Sequence, residues 1–276
     1  MRRVLATLPI LGLLIGLVIL AVPVASDWIA TREAEEAISV ARTSIELAHD
    51  PSAEELLEQA NAYNASLVGD VAGRGILGYD DQLSYDGSAV MCWVNIPSID
   101  VTLPVYHGTD EDSLAAGAGH LEGSSLPVGG TSTHCVITAH SGMRLERAFD
   151  DIESLDVGDV FVVWTLGMPY AYEVTSQEVV LPSEVESLGI AHGEDLCTLV
   201  TCTPYGVNSH RLLVHGSRCA YTSDMEQATV KAHVNRRTIP LLAAMACIIV
   251  TTIILSIASR KRRRKDKSPM ERRSLS

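Results

Sequence analysis

Residues 198–216 read TLVTCTPYGVNSHRLLVHG, and most of the chemistry predicted for this chain is concentrated there. The stretch starts with apolar and β-branched residues that end at Cys202. A turn-forming segment rich in Pro, Gly and Asn follows, and a second apolar run begins at Arg211. The pattern predicts two strands joined by a loop. If the strands pair antiparallel, Cys202 and Arg211 become neighbours at one rim.

A thiol beside a permanent cation is a reactive combination. A thiolate is nucleophilic, and the Arg211 guanidinium can favour the thiolate or stabilise an oxyanion, but it cannot act as a base. The base must therefore come from elsewhere in the chain. The best candidate among the nine histidines is His140, which closes the strand-like run 134–139, and His120 is the second.

Several motifs accompany this stretch in a fixed order. They are LPVYHG at 103–108, GHLEGSSLP at 119–127, ITAH at 137–140, TCTPYG at 201–206 and HRLLV at 210–214. Together they resemble the sortases, the cysteine transpeptidases of Gram-positive cell surfaces, and most closely the class C sortases that build pili. The resemblance extends from about Met91 to Arg218.

The resemblance implies roles for three residues: Cys202 as nucleophile, His140 as general acid and base, and Arg211 as the cation that stabilises the oxyanion. It also implies a reaction. An LPXTG-like sorting signal would be cleaved between Thr and Gly through a thioester, and the acyl group would pass to a lysine amine of a pilin subunit, with hydrolysis as a side reaction. The implied partners are LPXTG-bearing pilin or surface-protein precursors and a lysine-bearing pilin acceptor.

Further candidates surround these three residues. Thr201, Tyr205 and Asn208 are predicted to shape the loop or position a peptide carbonyl, and His120 has either a substrate-binding or a structural role. The Gly-rich and Asp-rich stretch 69–88 is predicted to be a loop, and class C sortases often carry a lid there. The carboxylates that would approach Arg211 from such a lid are Asp70, Asp80 and Asp81.

From Val90 onward, short β-rich runs alternate with turn residues, which predicts a mainly β fold. Seven to eight strands in about 130 residues are expected to close into an antiparallel or mixed barrel, since closure removes exposed strand edges. The resemblance implies the sortase β-barrel. Short helices are expected at 109–116, at 143–150 and after a capping box at Ser183.

Two uncharged apolar segments flank this region. Residues 4–25 follow Arg2-Arg3, and residues 238–259 precede 260–267, where seven of eight residues are basic. Roughly 20 apolar residues cross a bilayer, and basic flanks stay inside. We therefore expect two transmembrane helices in the cell membrane, cytoplasmic termini and an extracellular catalytic domain. A signal peptide cleaved near Ser26 is the alternative for the first segment.

These patterns divide the chain into six parts. They are an N-terminal transmembrane helix or signal anchor (1–26), a helical segment with a possible lid loop (27–88), the β-barrel catalytic domain (89–222), a juxtamembrane linker (223–237), a C-terminal transmembrane helix (238–259) and a basic cytoplasmic tail (260–276). Within the second part, helices are predicted over 28–49 and after the Ser52–Glu55 capping box.

Charge and cysteine content narrow the functional classes. Between Asp27 and Asn235 there are 8 Lys and Arg against 32 Asp and Glu, which argues against a nucleic-acid partner. No histidine or cysteine spacing fits a metal site, so we expect neither metal nor cofactor. Four cysteines besides Cys202 lie in the predicted exterior, and an oxidising environment allows disulfides among them without fixing their pairing: Cys92, Cys135, Cys197 and Cys219.

Two other functions stay open at this point. A housekeeping or sporulation-type sortase would use the same residues but anchor surface proteins to a peptidoglycan amine. A non-catalytic, membrane-anchored scaffold would keep the barrel only as a peptide-binding module, although the complete set of Cys202, His140 and Arg211 argues against it.

Overall fold

The computed structural model describes residues 4–47, 52–69, 75–85, 88–141 and 148–222, with side chains before Ala25 only in part, and the single positions 225, 246 and 249. The chain divides into two compact units. One is Met1–Ala25 with Val234–Ser276, and the other is Ser26–His233.

The first helix, α1, spans Val4–Leu47. Within the described residues, no helix combines the length and apolarity that a bilayer crossing requires. The second predicted span, 238–259, lies almost entirely outside those residues. The structure therefore gives no support to the two predicted transmembrane helices.

Helix α2 (Ala53–Leu67) begins at the capping box predicted from the sequence. The Ser52 hydroxyl accepts a hydrogen bond from the Glu55 N–H, and the Glu55 carboxylate accepts one from the Ser52 N–H. Each bond satisfies an amide that has no partner inside the helix.

One face of α2 packs on the second unit's core. Leu56 and Ala60, four residues apart and therefore on one face of the helix, are buried there. Asn64 adds a polar attachment, because its amide side chain bonds both the N–H and the carbonyl of Leu126, at 2.7 and 3.1 Å. The helix is thus fixed to the barrel along its length.

Eight strands form a closed barrel in the order β1-β2-β3-β4-β7-β8-β6-β5, with β5 pairing back onto β1. The pairs β2–β3 and β4–β7 are parallel and the others antiparallel, so the predicted mixed barrel is confirmed. The strands are β1 (Val90–Ile96), β2 (Val101–His107), β3 (Ala118–His120), β4 (Thr133–Ala139), β5 (Val160–Thr165), β6 (Met168–Val180), β7 (Asp195–Thr203) and β8 (His210–Arg218).

Large side chains fill the barrel interior. Phe161 and Tyr172 are among the largest fully buried residues, and Phe161 stacks on Tyr172 with ring centroids 5.6 Å apart. This stack explains a glycine in β8. A Cβ at Gly216 would lie 2.7 Å from the Phe161 ring, so the strand can approach the stack only without a side chain.

Two local predictions differ from the structure. The sequence analysis identified seven β-rich runs and missed β3, a three-residue strand without a β-branched residue. The helix expected after Ser183 is only a 3₁₀ turn over Glu186–Leu188, which has no side-chain cap. The helix predicted at 109–116 is confirmed as α3 (Glu111–Ala116), while positions 143–147 of the one predicted at 143–150 lie outside the described residues.

Candidate active site

The β7–β8 hairpin brings the thiol and the guanidinium together. Cys202 and Arg211 are direct partners in the antiparallel register, as the sequence predicted. The connection between the strands turns through Gly206 and Asn208, both with positive φ, and the Pro204 carbonyl accepts hydrogen bonds from two N–H groups in it. Both reactive residues are partly exposed at this end of the barrel.

The end of β4 brings the imidazole to the same place. Strands β4 and β7 are parallel and paired as far as Thr138 and Val200, so two residues further along the same register His140 lies beside Cys202. Two hydrogen bonds continue this alignment beyond the ladder. Thr201 Oγ1 donates to the Ala139 carbonyl at 2.8 Å, and Ser141 Oγ donates to the Cys202 carbonyl.

The three side chains line one cleft of about 430 Å³. The floor of the cleft is apolar and comes from four strands, with Val136, Val180, Val200 and Leu213 packed in one cluster. One wall belongs to the connector between β6 and β7, defined here as residues 181–189. The connector residues that line the cleft are Leu181, Pro182, Glu184, Val185 and Leu188.

Arg211 carries the charge that the site can use. Its guanidinium donates to the backbone carbonyls of His210 and Asn208, at 3.1 and 3.4 Å. In the described part of the chain, no carboxylate forms an ion pair with it. A cation that is held by carbonyls and not neutralised by a carboxylate can stabilise a thiolate or an oxyanion beside it.

The weaker predicted site residues lie in different places. Thr201 is buried and acts on the backbone of Ala139, whereas Tyr205 and Asn208 are exposed in the β7–β8 connection. None of the three lines the cleft. Thr201 therefore positions the ends of the strands, and the other two are placed to meet a ligand only from outside the cleft.

His120 is fully buried and does not line the cleft. One ring nitrogen lies 3.0 Å from the Tyr79 hydroxyl, and the other lies 2.9 Å from the Ser125 carbonyl. The Tyr79 hydroxyl also donates to the His120 carbonyl at 2.9 Å. These contacts favour the structural role that the sequence analysis considered for His120 over substrate binding.

The described part of the predicted lid loop packs against the ends of the paired strands β2 and β3. Tyr79 opens a short 3₁₀ helix, Tyr79–Asp81, and its hydroxyl accepts from the Gly108 N–H at 2.9 Å. Asp80 and Asp81 follow it and do not line the cleft that contains Arg211. Asp70, the third predicted lid carboxylate, lies outside the described residues.

The cysteines other than Cys202 differ from it in setting. Cys92, Cys135 and Cys197 are buried, and no disulfide forms among the five cysteines of the described residues. Burial raises the pKa values of the Cys92 and Cys197 thiols well above that of an ordinary cysteine. Of the described cysteines, only Cys202 has a partly exposed thiol in the cleft.

Sequence reasoning missed one positioning residue, Ser141. It is nearly buried and fixes the carbonyl of Cys202, directly after His140 in the chain. A hydroxyl next to a predicted catalytic residue was the only available signal, because the bond depends on how two distant strands pair.

Comparisons with known proteins agree with this picture. A sortase domain model matches residues 94–219. The chain is 31% identical to Sortase A of Bacillus anthracis over 133 residues, which are 48% of this chain and 61% of that protein, so the match spans less than two thirds of that relative.

The structure also resembles sortase C1 of GBS pilus island 1, with 39% identity, a TM-score of 0.63 and coverage of 68% of this chain and 93% of that one. For sortase C-1 of Actinomyces oris the identity is 44%, the TM-score 0.56, and the coverage 62% and 100%.

The eight-stranded closed barrel and these matches place the chain in the sortase family, whose members are in general cysteine transpeptidases. Within that family it resembles the class C sortases, because its solved structural neighbours include several enzymes of that branch.

Proposed function

We propose that this chain is a class C-like sortase that joins pilin subunits. It would recognise an LPXTG-like sorting signal, cleave it between Thr and Gly, and transfer the new acyl group to a lysine amine of the next subunit. The observation that carries the proposal is the cleft itself, where Cys202, Arg211 and His140 meet at the ends of three strands above an apolar floor.

The proposed reaction needs only groups of this cleft. The Cys202 thiolate adds to the Thr carbonyl, and Arg211 stabilises the oxyanion that forms. The bond from that carbon to the Gly nitrogen then breaks while His140 gives its proton to the leaving amine. The lysine amine next attacks the thioester, the new C–N bond forms, His140 takes the amine proton, and the Cys202 thiolate leaves.

We also propose that the chain is anchored in the cell membrane, with its catalytic domain outside. The support comes from sequence, namely the apolar segments 4–25 and 238–259, the basic run after the second and the acidic middle. Tethering would keep the cleft close to precursors held in the same membrane, which raises their effective concentration.

A single reaction tests the chemistry. The purified full chain is mixed with an LPXTG peptide, first alone and then with either a lysine-bearing pilin peptide or a peptidoglycan-type amine. We expect a mass increase on Cys202 that equals the acyl fragment, followed by an isopeptide product with the lysine peptide. Cys202→Ala is the control, and no acyl adduct on Cys202 would disprove the proposal. A product with the peptidoglycan amine only would instead support a housekeeping-type enzyme.

A further inference from the structure

A chain of hydrogen bonds crosses four strands next to the apolar floor of the cleft. His134 Nε2 lies 2.7 Å from Thr198 Oγ1, which lies 2.8 Å from His215 Nδ1. His215 Nε2 lies 3.1 Å from a carboxylate oxygen of Glu178. At the other end, His134 Nδ1 lies 2.9 Å from the carbonyl of Gly189.

The position of this chain in the sheet links it to the cleft. Side chains two apart along a strand share a face. The four members lie two residues from the four floor residues of the cleft, on the same faces of β4, β6, β7 and β8; these floor residues are Val136, Val180, Val200 and Leu213. Each hydrogen-bonded side chain therefore lies next to one floor residue on the same strand and the same face.

The same chain holds the connector that forms the cleft wall. His134 bonds the carbonyl of Gly189, the last connector residue, and the Ser187 side chain lies close enough to Glu178 to lower the pKa of that carboxylate. Next to Gly189, Leu188 packs on the floor cluster and lines the cleft. The wall is thus held by one hydrogen bond and one apolar contact that are adjacent in the chain.

The bonding pattern determines how many protons the two rings hold. The Gly189 carbonyl and the Glu178 carboxylate only accept, so His134 Nδ1 and His215 Nε2 must both carry hydrogen. When both rings are neutral, the single hydrogen of Thr198 can reach only one of the two nitrogens that face it. All four bonds therefore need at least one extra proton on the histidine pair, because the ring that gains it donates to the Thr198 oxygen.

The two rings differ in their surroundings. Burial lowers the pKa of His134, whereas His215 faces the Glu178 carboxylate, whose own pKa is lowered by Ser187 and His215. The ionisable groups that face the two rings are each other and Glu178. The connector's own carboxylates, Glu184 and Glu186, are exposed, and Glu184 is bonded to the Leu181 N–H.

We propose that His134, Thr198, His215 and Glu178 are positioning residues that hold residues 181–189 against the substrate cleft through one shared proton. This inference rests on the proposed peptide-transfer function, since the wall then determines how tightly the sorting signal binds. Loss of the proton at high pH breaks one bond of the chain. The KM for the peptide therefore rises at high pH, with kcat changing less.

Thr198→Val tests the proposal, because it removes the linking hydroxyl and keeps the shape. We expect KM for an LPXTG peptide to rise about fivefold with kcat within twofold, and amide hydrogen exchange in 181–189 to become at least tenfold faster. The matched control is Thr175→Val, because the Thr175 hydroxyl bonds the His215 carbonyl but not its ring. A Thr198→Val enzyme with unchanged KM and unchanged exchange would overturn the proposal.

Nitrogen NMR of the histidine rings in the full chain gives a readout that does not need activity. We expect hydrogen on His134 Nδ1 and on His215 Nε2 and one extra proton on the pair, and Glu178→Gln should remove that extra proton. Two neutral rings in the wild-type protein would contradict the one-proton chain. If the wild-type enzyme transfers no peptide while the NMR and exchange results hold, the proposed function fails and the connector attachment stands.

Discussion

Strand β7 carries two cysteines with opposite properties. Cys202 lies at the strand end, partly exposed in the cleft and paired with Arg211. Cys197 lies five residues earlier, on the opposite face, fully buried beside Cys135 of β4. Burial raises the pKa of the Cys197 thiol, whereas the Cys202 thiol is partly exposed beside a guanidinium that can stabilise an oxyanion. Position and neighbours, more than residue type, determine which thiol can react.

The largest effect expected from this contrast is on the chemistry. Cys202→Ala removes the proposed nucleophile and should lower the transfer rate at least about 10⁴-fold, because no thioester can form. Cys197→Ala should leave the rate per folded molecule within about twofold. Peptide transfer assays on both variants, with circular dichroism to confirm folding, check this. A Cys202→Ala enzyme that retains transfer would place the nucleophile elsewhere.

The cations of β8 extend the comparison. Arg211→Ala should reduce kcat about 10²- to 10³-fold, the usual cost of one oxyanion donor, with a smaller change in KM. Arg218 on the same strand is the matched control. Its guanidinium lies over the Tyr170 ring and 4.0 Å from Asp195, so Arg218→Ala should affect stability and leave kcat within about twofold. If Arg211→Ala raised KM by as large a factor as it lowered kcat, the result would argue against an oxyanion role.

For stability the opposite result is expected, with substitution of Cys197 costing more free energy of unfolding than substitution of Cys202. Cys197→Ser places a hydroxyl in the apolar core, and an unsatisfied buried polar group costs about 1–3 kcal/mol. Cys202→Ser, at the partly exposed strand end, should cost less than about 0.5 kcal/mol. Urea unfolding of both variants measures the difference. Equal destabilisation would mean that the two sites are not as different in burial as the structure indicates.

Sequence reasoning found the reactive thiol because its signals are local. Cys202 ends a β-rich run, a Pro/Gly loop follows and Arg211 opens the next run, so the antiparallel pairing of these two residues was predictable. His140 was proposed from its position at the end of a strand-like run and from the family resemblance, although nothing in its own strand specifies a neighbour in β7.

What sequence reasoning missed depends on contacts between distant segments. The bond from Ser141 to the Cys202 carbonyl requires the parallel β4–β7 pairing, which no local pattern specifies. The burial of His120 under Tyr79 depends on how the 75–85 segment packs on the β2–β3 edge. Strand β3 was missed because its Gly119 is required by a backbone contact, a Cβ there lying 2.2 Å from the Gly108 carbonyl oxygen.

Two buried histidines should make stability depend on pH, and this is the smallest effect expected here. His107 bonds the Gln82 carbonyl at 2.7 Å, and burial lowers its pKa, as it does for His134. A histidine whose pKa is lowered by folding binds a proton more tightly in the unfolded chain than in the folded one. Its contribution to stability is therefore complete above the unfolded pKa of about 6.5 and is lost as the pH falls through that value toward the folded pKa.

We accordingly expect the melting temperature to fall between pH 7.5 and pH 5.5, and His107→Gln to make the fall shallower, since glutamine does not titrate and its amide can still donate to the Gln82 carbonyl. Part of the fall should persist in this variant through His134. Calorimetry across this range measures both slopes. A melting temperature that rises on acidification, or identical slopes in the two proteins, would mean that the buried His107 ring is not held neutral by the fold.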